Sequence, residues 1–306
     1  VLDTPGELDL ARYGRYMRNL EAIHSFPTVT ATTRDPVLLW LTADTRGLAP
    51  GVYRGALCIR GERQLRRIPV RLRVRPCVLP ADNPLITQGW QWIPKAPTKQ
   101  DGARLLFDYG INATHVYDDM EAARAAGFRF FMFTFPPSWK GQSPEQADEA
   151  EVDEQIAKIQ AMVDKLKLRP DEWALYTIDE PGDKTVPTQV QWARHIRGKW
   201  PEARFLYNPG WSGDAYNPEQ TTDGTIRPLV ECADVWLPYS WWVHSSVRPG
   251  ALELMKSGGK PVWFYEIMDT AYNRRRTVGR DMLRLLPWVA ARYDLQGASF
   301  YSLNAY

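Results

Sequence analysis

The stretch Tyr176-Thr177-Ile178-Asp179-Glu180-Pro181-Gly182-Asp183 sets two carboxylates side by side at the end of an apolar run. Trp173 to Ile178 reads as a short buried strand, and Pro181 and Gly182 stop it. Successive side chains of a strand point to opposite faces, so Asp179 and Glu180 diverge unless the backbone bends there. Acids at the carboxyl end of a buried parallel strand stand where barrel enzymes keep their chemistry. The plainer alternative is that one carboxylate caps the following helix and the other is solvated.

The elements that must position this pair recur along the chain. From Leu85 onward, strand-like runs alternate with helical stretches. The strands are Leu85–Ile93, Ile111–Tyr117, Phe128–Phe135, Trp173–Ile178, Arg204–Asn208, Asp234–Tyr239, Pro261–Ile267 and Ala298–Leu303. Between them lie amphipathic segments such as Glu151–Leu166, with Ile156, Ile159, Met162, Val163 and Leu166 on one stripe, and Met282–Tyr293. Eight strands alternating with seven helices predict an α/β fold, a (β/α)8 TIM barrel. A doubly wound open sheet fits less well, because no glycine-rich phosphate loop follows the first strand.

A barrel places functional side chains just after each strand's last buried residue. Those places hold Trp90 and Trp92; His115, Tyr117 and Asp118; Phe135 and Trp139; Asp179 and Glu180; Asn208 and Trp211; Tyr239, Trp241, Trp242 and His244; Tyr265 and Glu266; Tyr301, Asn304 and Tyr306. The opposite ends carry plain turn residues, Gly110, Gly127, Gly259-Lys260 and Gly297. Aromatic faces stack on the apolar faces of sugar rings, and acids act on the glycosidic oxygen, so this rim suits a carbohydrate. For any one Trp, core packing explains its presence as well as ligand contact does; the argument is the bias toward one end of the strands. His115 and His244 are candidates for sugar-hydroxyl contacts, whereas His24 and His195 read as scaffold or surface.

Residues 1–80 differ in kind. They hold thirteen Arg, no Lys and seven acids, a balance of +6, which leaves −4 for residues 81–306 of a chain whose net charge is +2. Val37–Thr42 and Gly51–Arg60 read as strands. Ile68, Val70, Leu72 and Val74 alternate with Arg67, Pro69, Arg71, Arg73 and Arg75, predicting a half-buried strand with a cationic outer face. The expectation is a small antiparallel β-sandwich over residues 1–80, short at its N-terminus, joined by the proline-punctuated linker Cys77–Pro84 to a catalytic barrel over 81–306. The cationic face suits either solvent or an acidic glycan. Cys58 and Cys77 either pair or are buried free thiols, and Cys232 leaves an odd count. No His, Asp, Glu or Cys cluster has metal spacing and no cofactor loop is visible, so neither metal nor cofactor is expected. Low net charge and the lack of a basic, aromatic-interleaved motif argue against nucleic acid, and no apolar run reaches the ~18–20 residues of a membrane span. Val1 in place of an initiator Met suggests a trimmed chain, and no signal peptide is visible.

Several motifs taken in order resemble a known family. Leu39-Trp40-Leu41-Thr42, Ala49-Pro50-Gly51-Val52-Tyr53-Arg54-Gly55, the strand Ile68–Val74 and Leu79-Pro80 look like the β-sandwich that precedes the barrel in glycoside hydrolase family 123 and its relatives of the domain-of-unknown-function 4091 group. Asp179-Glu180-Pro181 after strand four, Pro261-Val262-Trp263-Phe264-Tyr265 on strand seven, and Gly297 through Asn304 extend the resemblance from about Trp40 to the end. It implies a secreted or periplasmic, exo-acting, retaining β-N-acetylgalactosaminidase in which the substrate's 2-acetamido oxygen attacks the anomeric carbon. By the same resemblance Glu180 is the acid/base and Asp179 orients the acetamido group, with Trp90, His115, Tyr117, Asn208, Trp211, Tyr239, Trp241, Trp242, Tyr265, Glu266, Tyr301 and Asn304 as candidates around the glycan. A neighbouring carboxylate and partial burial are expected to keep Glu180 protonated. Glu266 departs from the family pattern. With Glu180 it would fit a retaining pair of carboxyls ~5–5.5 Å apart on a sugar without an acetamido group; otherwise it contacts a sugar hydroxyl or pairs with Arg274, Arg275 or Arg276. A non-catalytic carbohydrate-binding barrel is the third reading.

Overall fold

The computed structural model describes residues 43, 45, 47–60, 65–77, 83–90, 97–115, 117–135, 142–210, 221–243, 248–267 and 278–301, with backbone alone for Arg60, Asp118, Ile267, residues 278–284 and Tyr301. These residues fall into two units, 43–83 and 84–301.

In the smaller unit, β1 (Gly51–Arg60) and β2 (Leu65–Val74) pair antiparallel, from Gly51 opposite Val74 to Arg60 opposite Leu65. The register puts Arg54, Arg67, Arg71 and Arg73 on one face and Tyr53, Leu57, Ile59, Ile68, Val70, Leu72 and Val74 on the other. The expected alternation is therefore present. The expected burial is only partial: Leu72 and Val74 are half-buried, while Ile68 and Val70 stay 40% and 41% exposed. Among the described residues no second layer lies over the two strands, which leaves their apolar face largely open. A further strand expected at Val37–Thr42 lies outside the described residues. Cys58 and Cys77 are free and exposed, neither paired nor buried. The register explains the missing bond: Cys58 faces Arg67, and Cys77 lies ten residues further along, roughly 30 Å in an extended chain.

The larger unit holds eight strands, each joined to its partners in parallel. They are β3 (Ile86–Gln88), β4 (Ala113–Thr114), β5 (Phe130–Thr134), β6 (Trp173–Tyr176), β7 (Phe205–Tyr207), β8 (Val235–Trp236), β9 (Tyr265–Ile267) and β10 (Gly297–Tyr301). Seven lie inside the runs expected from sequence, and β10 begins one residue earlier. A curled five-stranded sheet runs β4-β5-β6-β7-β8, and a three-stranded sheet runs β3-β10-β9. Single bridges Trp236–Val262 and Tyr239–Tyr265 connect β8 to the segment of β9. On the other side the Asn112 N–H donates to Thr87 O at 3.0 Å, and the Asn112 side chain accepts from Thr87 N–H and donates to Leu85 O.

Aromatic packing links the two sheets. Phe130 of β5 meets Trp263, just before β9, edge-on with ring centroids 4.6 Å apart. Gly297, expected as a plain turn residue, is the first residue of β10. A Cβ there would lie 2.5 Å from Trp263 Cγ and 2.8 Å from Ile86 O, so the indole occupies the room a side chain would need.

Among the described residues seven α-helices separate the strands: α1 (Lys99–Asp108), α2 (Met120–Ala126), α3 (Glu149–Leu166), α4 (Val186–Lys199), α5 (Arg227–Leu229), α6 (Ala251–Lys256) and α7 (Val278–Arg292). In α3 the predicted stripe is the packed one: Val152, Ile156, Ile159 and Leu166 are buried, and Asp148 caps the first turn through Ala150 N–H at 2.9 Å. A π-helical turn, Thr222–Ile226, leads into α5. Among the described residues no helix is long and apolar enough to cross a membrane.

Candidate active site at the end of β6

β6 is buried throughout, and the chain leaves it through Thr177, whose hydroxyl donates to Gln189 Oε1 on α4 at 2.6 Å. Ile178 is buried, Asp179 is exposed and Glu180 is half-buried. Here the backbone bends: Glu180 has φ of +50°, a left-handed conformation uncommon outside glycine. Pro181 contributes, because a residue before proline is disfavoured in the right-handed helical region. At this bend both acids meet one side chain, the Asn208 amide. Helix α4 opens at Val186, six residues past Glu180, and Gly182 and Thr185 close its first turn, so these acids are not its caps. The neighbouring Asp183 is tied instead to the segment before α5, accepting from the Thr221 N–H and hydroxyl at 3.0 and 2.9 Å and from the Thr225 hydroxyl.

Two networks hold the acids. Asp179 Oδ1 accepts the Tyr176 hydroxyl at 2.5 Å and Asn208 Nδ2 at 2.9 Å, while Asn208 Oδ1 accepts the Glu180 N–H at 3.1 Å. Glu180 Oε1 accepts the Tyr265 hydroxyl. Next to Tyr265 in β9, Glu266 accepts the Tyr239 hydroxyl on Oε1 and the Ser240 hydroxyl on Oε2, both at 2.6 Å. The Tyr239 and Tyr265 rings pack edge-on 5.3 Å apart, so the two networks share a wall. Burial pushes the Tyr176 and Tyr265 phenols well above the usual tyrosine range, and the charges of Asp179 and Glu180 respectively add to the effect. Tyr239 is raised by burial and then by Glu266. All three phenols therefore stay protonated donors at ordinary pH. Carboxyl groups held by hydroxyl and amide donors in this way can accept hydrogen bonds from hydroxyls and exchange a proton with an oxygen leaving group.

The other candidates divide. Trp90, itself at φ +42°, packs on His115 at 5.0 Å and Tyr176 at 5.4 Å between ring centroids, next to the acids. Burial lowers His115 to about 4, so the ring is neutral above that pH. Its Nδ1 contacts Gln88 Nε2 at 3.3 Å, and Gln88 Oε1 accepts the Ser299 hydroxyl at 2.5 Å. Tyr117 turns toward α3, its hydroxyl donating to Lys158 O and Lys158 Nζ lying 5.0 Å from the ring centroid. Trp241 is half-buried against Tyr239. Trp242 is buried, with Arg248 over its ring and its indole N–H donating to Gly210 O at 3.2 Å. Trp211, Asn304, His244, Trp92, Trp139, Tyr306 and Arg274 to Arg276 lie outside the described residues, as do the side chains of Tyr301 and Asp118. His195 sits beside Glu149 at 3.3 Å, away from the acids. Sequence reasoning missed Tyr176, Ser240, Gln88 and Gly210. Tyr176 had a signal, since it stands three residues before Asp179 at the end of a buried strand; Gly210 had none. Among the described residues no group of three or more His, Cys, Asp or Glu could hold a metal ion.

No family model matches the chain, and no curated protein does, so the family resemblance rests on the motifs. Similar solved structures include the Bacillus cereus spore cortex-lytic enzyme SleL, at 8% identity and TM-score 0.45 over 77% of this chain and 74% of that one. A Thermobaculum terrenum O-GlcNAc hydrolase mutant aligns at 12% identity and TM-score 0.40 over 71% of this chain and 54% of that one. The carboxyl transferase domain of Rhizobium etli pyruvate carboxylase aligns at 9% identity and TM-score 0.42, over 70% of this chain and 39% of that one. By name the first lyses spore cortex, the second hydrolyses O-GlcNAc and the third transfers a carboxyl group. At such scores the likeness carries no argument about chemistry.

Proposed function

We propose that the chain is a retaining, exo-acting β-N-acetylhexosaminidase that uses the substrate's own 2-acetamido group as nucleophile. The preference for N-acetylgalactosamine comes from the motif resemblance. We read the two parallel sheets as arcs of one (β/α)8 barrel spanning 81–306, preceded in the sequence by a sheet domain of residues 1–80. The bridges beside β9, the Asn112 hydrogen bonds beside β3 and the Phe130–Trp263 contact favour that reading.

The observation that carries the proposal is the bend at Glu180, which favours separate duties for the two adjacent acids. Glu180 protonates the glycosidic oxygen as the acetamido carbonyl oxygen attacks the anomeric carbon. The leaving alcohol departs and a bicyclic oxazolinium forms. Asp179 accepts the acetamido N–H and stabilises the positive charge on that group. Water, deprotonated by the Glu180 carboxylate, then opens the ring at the anomeric carbon with net retention, and Glu180 regains its proton. Glu266 suits a positioning or hydroxyl-binding role better than a nucleophilic one, because both its oxygens already accept short hydrogen bonds from Tyr239 and Ser240.

The test is a panel of p-nitrophenyl β-glycosides with and without the 2-acetamido group. Wild type, Asp179→Asn, Glu180→Gln and Glu266→Gln are compared. The proposal expects turnover of acetamido sugars only, collapse in Asp179→Asn, and a slower but working Glu266→Gln enzyme. Turnover of plain sugars that Glu266→Gln abolishes would support the two-carboxylate mechanism instead. Glycan binding with no turnover would make this a binding protein.

A further inference from the structure

We propose that Asn208 and Gly210 are positioning residues for the acid pair, Asn208 holding its turn and Gly210 reserving the space of the Glu180 side chain. The inference rests on the glycosidase reading above and adds residues that act through the acid pair.

Asn208, at the end of β7, is 1% exposed and spends both ends of its amide on the pair. Its oxygen accepts the Glu180 N–H and its nitrogen donates to Asp179 Oδ1. A left-handed non-glycine residue persists only where its surroundings over-determine it, and this amide is the described partner of its backbone N–H. Asn208 stands among the candidates around the glycan, and its two hydrogen bonds to the pair give it a further part there.

Two residues on, Gly210 faces Glu180 from the side. A Cβ on Gly210 would lie 2.3 Å from Glu180 Cβ and Cγ and 2.4 Å from Cδ. That contact involves the root of the side chain, so rotating the carboxylate alone does not relieve it. Nor can the glycine segment retreat freely. Pro209 O accepts the Tyr239 N–H at 2.8 Å, and Gly210 O accepts the Trp242 indole at 3.2 Å. With the segment pinned from behind, Glu180 is the group that must move. Trp242 thus has a further part in the site: it braces the glycine that sets where the proton donor stands.

The test uses the full chain carrying Gly210→Ala, Asn208→Asp or Asn208→Leu. Gly210→Ala is expected to lower kcat by about 10²-fold with KM little changed, since misplacing a catalytic group by an ångström costs on that order. Asn208→Asp keeps an acceptor for the Glu180 N–H and so should retain more kcat than Asn208→Leu. It also puts a second negative charge beside Asp179, moving the acid limb of the kcat/KM profile upward by about one pH unit. Wild-type kcat in Gly210→Ala, or an unmoved acid limb in Asn208→Asp, would overturn the proposal. Should the Asn208 variants fail to fold, Gly210→Ala decides alone. Crystal structures keep the test separate from the functional reading. If the wild type hydrolyses no glycoside, that reading fails, and the positioning claim is judged by whether the Glu180 side chain is displaced in Gly210→Ala; an unmoved side chain rejects it.

Discussion

At the scale of single residues, Glu180 and His115 show how position sets chemistry. Glu180 must deliver a proton, and correctly placed acid catalysis contributes about 10²–10⁴ in rate. Glu180→Gln should lose that factor in kcat/KM on substrates with poor leaving groups, and much less on p-nitrophenyl sugars, whose leaving group needs little protonation. Equal losses on both would argue against an acid role. His115 gives a pH prediction whose sign follows from burial. Its folded pKa of about 4 lies below the ordinary 6.5, so the unfolded chain takes up the proton first as pH falls. The stability it contributes is full above pH 6.5 and is lost progressively down to pH 4, by at most about 3 kcal/mol. Urea midpoints at pH 7 and pH 4.5 should therefore diverge in the wild type and draw together in His115→Gln. A wild-type midpoint that does not fall would contradict the burial of a neutral ring.

At the scale of elements, strand ends and close contacts carry the argument. Gly297 opens β10 under the Trp263 indole, so Gly297→Ala should overpack this junction and cost about 1–3 kcal/mol, read as a lower denaturation midpoint. An unchanged midpoint would mean that the junction gives way freely. The eight strands were legible because buried parallel strands read as unbroken apolar runs such as Phe130-Phe131-Met132-Phe133, and turn residues bound them. The acid pair was legible for the same reason, standing where such a run stops. Its bend was not, since φ of +50° at Glu180 depends on Asn208, 28 residues away in sequence. Tyr117 and Trp242 stand at strand ends like the other rim aromatics, yet one turns to α3 and the other braces Gly210. Position at a strand end sets the neighbourhood of a side chain, while its partners set its direction. In the β1–β2 ribbon the alternation was readable because period two is local, but burial depends on what a second layer supplies.

At the scale of the whole molecule, the charge divides unevenly: +6 within residues 1–80 against −4 in the remainder. The acid pair belongs to the remainder, where Asp179, Glu180 and Glu266 accept hydrogen bonds from phenol, hydroxyl and amide donors. For Asp179 the donors are the Tyr176 phenol and the Asn208 amide, which fix a carboxylate without neutralising it, as suits the group that must face positive charge when an oxazolinium forms. The most direct test of this account is binding of a galacto-configured thiazoline, a stable mimic of that bicyclic intermediate, measured on wild type and Asp179→Asn. The account predicts competitive inhibition at least about 10²-fold tighter than the parent N-acetyl sugar, as expected of a transition-state analogue, and its loss in Asp179→Asn. No binding of the thiazoline, together with a glycosyl group trapped on Glu266 by a 2-fluoro sugar, would contradict it.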